Sequence, residues 1–122
     1  MPPAEDSSQQ TSRAVLELRR EKLTVSKSDG EQIRAALLLR LKSSTLEDAA
    51  QLYTWTRGAG VEVQADALEI GGWGLFADGD ELRLMYRFPP VPAGIKAYSA
   101  TVTKQAGWQV SEVRLMHIHA RR

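Results

Sequence analysis

Apolar and polar residues alternate most cleanly in "ELRLMYRF" (81–88). Leu82, Leu84, Tyr86 and Phe88 hold one parity, and Arg83, Met85 and Arg87 hold the other. Period-2 alternation marks a strand with one face in the core. "WGLFA" (73–77) precedes it, with Asp78 and Gly79 between the two runs. Asp-Gly flanked in this way predicts a β-hairpin closed by a type I′ turn, whose two central residues both need positive φ.

An earlier stretch looks similar. "SDGEQIR" (28–34) parallels "ADGDELR" (77–83), and one ungapped offset also carries Leu46 onto Ile95, Gly58 onto Gly107 and Val61 onto Val110. A repeat is read twice with one interpretation. On that rule 31–42 is a second outgoing strand, with "KLTVSK" (22–27) leading in and Ile33, Ala35, Leu37, Leu39 and Leu41 facing the core. The same segment also carries a helix signal, because Ser28 and Glu31 have capping-box spacing.

A helix is expected after each outgoing strand. The first has Thr45 as N-cap and Leu46, Ala49, Ala50 and Tyr53 on one face. The second has Pro92 in its first turn, then Ile95, Tyr98 and Val102, although the threonine-rich "YSATVTK" (98–104) also suits a strand. Gly58 and Gly107 would end the two helices in left-handed caps. "VEVQADALEI" (61–70) and "WQVSEVRLMHIH" (108–119) read as closing strands, and "GGWG" (71–74) as a kink or bulge.

The resulting order is a ferredoxin-like split βαβ (βαββαβ), a two-layer α+β sandwich with an extra strand or helix at 14–26. Its pseudo-repeats cover 16–63 and 68–112. The alternative is NTF2-like, with N-terminal helices on a curved antiparallel sheet. The two readings diverge at 29–42 and 92–106.

Composition narrows the classes. At 122 residues and 43% hydrophobic, the chain builds one core, assigned to 13–122, behind a polar leader at 1–12. Sixteen basic against fifteen acidic side chains call for no polyanionic partner. The apolar run "AALLL" (35–39) is far too short for a membrane span. Absence of cysteine removes disulfides and thiol chemistry, and it leaves the compartment open between cytoplasm and, if an anchor precedes Met1, periplasm.

Candidate chemistry is sparse. There is no G-x-S-x-G and no phosphate-cradling loop, since "GGWG" lacks the following Lys-Ser/Thr. Asp78, Asp80 and Glu81 cluster at a hairpin tip, where carboxylates serve the turn. His117 and His119 are the only histidines, and without cysteine they fall short of a zinc site's three or four ligands. No catalytic residue, metal or other cofactor is therefore expected. An NTF2-like cone would be the setting for a small-ligand or enzymatic alternative.

The surface is more informative. Under the strand reading, the face opposite the core carries Arg34, Leu38 and Arg40 beside Arg83, Met85 and Arg87. Arginine mixed with apolar side chains suits a protein interface. Trp73, among glycines near the sheet edge, would be its exposed anchor. Trp55 and Trp108 are expected at the helix–sheet seam. The same arginines could meet nucleic-acid phosphates, but no aromatics stand there to stack bases. A plain solvated face is the remaining reading.

In layout, "LEDAAQLYTWTRGAGVEV" (46–63) and "AGIKAYSATVTKQAGWQVSEVRL" (93–115) each read as helix, glycine, strand. That layout resembles periplasmic ferredoxin-like domains of inner-membrane assembly proteins in type II secretion systems and type IV pili. The resemblance carries over no functional residue. It implies a non-enzymatic protein–protein interaction and assembly module serving protein transport, which forms a homodimer and docks to partner subunits.

Overall fold

The computed structural model describes residues 13–63, 68–89 and 91–119. The fold is α+β. β1 (Arg13–Glu17) and β2 (Lys22–Ser26) form a separate antiparallel hairpin, followed by helices α1 (Lys27–Lys42) and α2 (Ala49–Gly58). Seven strands then make one antiparallel sheet: β3 (Val61–Val63), β4 (Leu68–Ile70), β5 (Trp73–Asp78), β6 (Glu81–Arg87), β7 (Gly94–Lys104), β8 (Trp108–Val110) and β9 (Arg114–His119). Strands β3 to β8 pair in chain order, and β9 pairs with the first half of the long β7.

Residues 31–42 correct the repeat-based expectation, because they are helical. Ser26 Oγ accepts from the Asp29 N–H at 3.1 Å, and Asp29 Oδ2 accepts from the Ser26 N–H at 3.0 Å. This capping box begins two residues before the one expected, and it starts the helix. Gly30, Ile33, Leu37 and Leu41 are buried at helical spacing, whereas Leu39, inward in the strand reading, is 69% exposed.

Residues 94–104 reverse the second expectation, from helix to strand. β7 pairs with β6 on one side and with β8 and β9 on the other. Gly107 therefore lies in the β7–β8 turn and ends no helix. The expected closing strands are each two strands, β3 with β4 and β8 with β9. The order departs from βαββαβ. Of the two stretches behind the assembly-protein resemblance, 46–63 has its helix, glycine and strand, while 93–115 contains only strands and turns.

Turn chemistry is redistributed as well. Gly71 and Gly72 link β4 to β5 with φ of 59° and 88°, the doubly positive type I′ requirement. The Asp-Gly hairpin turns instead on Gly79–Asp80, between paired Asp78 and Glu81, and only Gly79 has positive φ, as type II′ requires.

The sheet curls around α1, which touches β3 at one end and β8 at the other. Arg34 Nη1 donates to the Ala59 carbonyl at 2.5 Å beside β3, and Arg40 Nε donates to the Val110 carbonyl at 2.7 Å on β8. Gly30 lets α1 and β3 close up, since a Cβ there would stand 2.6 Å from Val61 Cγ1. The inner face is covered along its length. Leu75, Leu82, Leu84 and Val102 join Ile33, Leu37 and Leu41 of α1, Leu52 of α2, and Ala14, Leu16 and Val25 of the hairpin in one core.

Candidate functional site

The outer face of the sheet has no helix against it among the described residues. Strand register arranges it in rows: Asp78 beside Glu81, then Phe76, Arg83 and Thr101, then Gly74, Met85, Ser99 and Arg114, then Arg87, Ala97 and Met116. Ala97 and Ser99 look outward yet are 0% and 7% exposed. The longer Met85, Arg87, Arg114 and Met116 on the flanking strands shade them. The face is thus a ridge on β6, a valley on β7 and a second ridge on β9. Part of the valley forms a cleft of about 260 Å³ between Arg83 and Arg114.

Charge on this face is polar along β6. Asp78 and Glu81 stand at one end and Arg87 at the other. Arg83 sits with the acids. Its buried Nε lies 3.1 Å from Asp78 Oδ2 without hydrogen-bond alignment, and its Nη2 donates to Glu81 Oε2 at 3.3 Å. Among the described residues Arg87 Nε meets only Met85 Sδ, at 3.4 Å. Phe76 is 37% exposed in the second row.

Of the expected interface residues, the structure brings together Arg83, Met85 and Arg87. Arg34, Leu38 and Arg40 do not join them, because they belong to α1, where Arg34 ties the helix to the α2 C-cap carbonyl of Ala59 and Arg40 ties it to the Val110 carbonyl at the end of β8. Trp73 is fully buried rather than exposed. Its Nε1 donates to Thr56 Oγ1 of α2 at 2.8 Å, and Gly71 lets the turn before it pass against the Thr56 backbone. Trp108 does lie at the seam, donating to Asp29 Oδ1 at 3.0 Å. Sequence reasoning misses Phe76 and the Ala97–Ser99 valley; their one signal is the alternation of Ala97 and Ser99 with Lys96 and Tyr98.

A second polar cluster lies on the inner face. The Asp48 carboxylate, just before α2, accepts from Lys96 Nζ and, at 2.5 Å, from Tyr98 Oη on β7. Lys96 Nζ also lies 5.3 Å from the Phe88 ring centroid, a cation–π contact. Around it Trp55 stacks on Tyr86 at 5.9 Å, and Phe88 touches Trp55, Tyr86 and Tyr98. The Lys96 hydrogen bond, then that of Tyr98, holds Asp48 below the usual carboxylate range. Bonding to Asp48 raises Lys96, and burial, then Asp48, raises the Tyr98 phenol. All three shifts run away from neutrality. That suits a staple between α2 and β7 better than proton transfer near pH 7. It also explains why Asp48 makes no side-chain cap to α2.

Asp29 is drawn both ways. Burial raises it, but hydrogen bonds from the Ser26 backbone, Trp108 and the Ser26 hydroxyl outweigh this and leave it below its ordinary value.

β9 sets His117 opposite Lys96 and His119 opposite Gly94 in backbone register, while both imidazoles lie outside the described side chains. Among the described residues no three or more His, Cys, Asp or Glu groups converge for a metal, and no helix is long and apolar enough to cross a membrane. The chain matches no family model, no curated protein and no solved structure.

Proposed function

We propose that the chain is a non-catalytic interaction module that pairs with a second copy of itself through the outer face of its sheet. The observation that carries this reading is the self-complementarity of that face. In a two-fold interface, residue i of one copy meets j of the other, and j meets i. Laying β6 antiparallel across its own copy puts each Arg87 near the other's Asp78 and Glu81. The two Met85 side chains then lie beside each other near the two-fold axis. Opposite charges fix the register, and the apolar centre supplies contact.

The layout supports an NTF2-like description over a ferredoxin-like one, since 27–42 is helical and 94–104 extended. Nucleic acid is the less favoured partner. Arg83 is already met by two carboxylates, and Phe76 stands alone as a stacking platform on the described outer face. Sedimentation equilibrium tests the proposal. The full chain should dimerise, and Met85→Glu, which buries a charge at the centre, should leave it monomeric with unchanged circular dichroism. A wild-type monomer at high protein concentration, or a Met85→Glu dimer of undiminished strength, would contradict it.

A further inference from the structure

A cavity of about 460 Å³ opens where the β1–β2 turn faces the β5–β6 turn and the end of β7. Leu18 and Leu23 line it from the hairpin, and Leu82 and Val102 from the sheet. Hairpin and sheet are built separately and meet here through few ties. The Arg19 N–H donates to the Gly79 carbonyl at 2.7 Å, and an exposed ion pair joins Arg20 to Asp80 at 3.8 Å. Leu18 and Leu23 pack partly buried against the core that holds Leu82 and Val102, and the space opens above these four side chains. Its volume lies within the range of small-molecule sites.

The polar lining is one-sided. Among the described residues Glu21, Asp80 and Glu81 supply three carboxylates to the lining, against a single cation, Lys104. That ammonium sits 5.1 Å from the Trp108 ring centroid, a cation–π contact that engages it elsewhere. Asp80 and Glu81 meet Arg20 and Arg83, whereas Glu21 has no ionic partner among the described residues. An apolar floor beneath a carboxylate rim, in a chain whose net charge is only +1, selects for cations with an apolar body.

We propose that this cavity binds a small amphiphile, a short alkyl or aryl group bearing one ammonium. The site goes beyond the dimer reading and is tested apart from it. The experiment is a nitrogen-15 NMR titration of the full chain with heptylammonium, heptan-1-ol and heptanoate. Heptylammonium should shift the amides of Leu18, Glu21, Leu82 and Thr103 and bind about tenfold or more tightly than heptanoate. Glu21→Gln should weaken heptylammonium about threefold, the scale of an exposed charge contact, and leave heptan-1-ol unchanged. Arg87→Glu, which targets the proposed dimer, should leave heptylammonium binding intact. Absence of shifts at the cavity amides would overturn the proposal. So would equal binding of heptanoate, or a Glu21→Gln effect shared by alcohol and ammonium.

Discussion

The two faces of β6 differ in what the rest of the chain does with them. Leu82 and Leu84 point inward and are almost fully buried, with Tyr86 and Phe88 in the aromatic cluster under α2. Arg83, Met85 and Arg87, one residue out of phase, lie on the face with no covering layer among the described residues. α1, α2 and the β1–β2 hairpin all crowd onto the inner side. A mixed face left over in this way, with charge reversed from end to end, is the surface on which the proposed dimer rests. The inner face accounts for stability, and the outer face is where interaction remains possible.

The largest test of this contrast is a pair of neighbouring truncations. Leu84→Ala empties a fully buried site and should cost about 2–5 kcal/mol, read as a drop in urea midpoint. Met85→Ala, measured at concentrations where the chain is monomeric, should cost less than about 1 kcal/mol. Comparable losses would break the contrast.

Two glycines of the same β4–β5 region make a finer comparison. Gly71 has φ of 59°, and a Cβ would stand 2.7 Å from the Thr56 carbonyl oxygen, so Gly71→Ala should cost roughly 1–3 kcal/mol. At Gly74, on the outer face, the nearest atom would be 3.9 Å away. Gly74→Ala should change thermal stability by less than about 1 kcal/mol.

A smaller effect belongs to the Asp48 staple, and it should appear in pH dependence. The folded pKa of Asp48 is depressed, so its contribution is present above the unfolded value of about 3.9 and is lost as pH falls through the lower folded value. Asp48→Asn should therefore be less stable than wild type near pH 7, with the gap closing below about pH 4. A constant gap across that window would mean that the carboxylate charge contributes little.

The sequence reveals these regions unevenly. β6 is readable because only one period fits its apolar residues. In α1, Ile33, Ala35, Leu37, Leu39 and Leu41 fit a strand, while Ile33, Leu37 and Leu41 fit a helix equally well. The arbiter is local, the Ser26–Asp29 capping box, together with the sheet wrapping around the result. Two similar Asp-Gly segments thus diverge: Gly30 sits inside a helix against Val61, and Gly79 turns a hairpin. β7 carries both signals in isolation, Ile95, Tyr98 and Val102 at helical spacing and a threonine-rich 98–104, and pairing with β6 on one side and with β8 and β9 on the other decides for the strand. Trp73 escapes the same kind of reading, since its burial requires Thr56 of α2. On the outer face, Arg83, Met85 and Arg87 follow from parity alone. The Ala97–Ser99 valley needs the register of three strands.

The most direct measurement for the outer-face account is a mixing experiment with opposite charge reversals. Arg87→Glu alone should set the introduced carboxylate against Glu81 at both ends of a two-fold pair, and Glu81→Arg alone should oppose two guanidinium groups in the same way. Each variant should sediment as a monomer. An equimolar mixture should form a heterodimer, because both contacts then pair opposite charges. Dimers of either variant alone as strong as wild type, or a mixture that stays monomeric, would contradict the account.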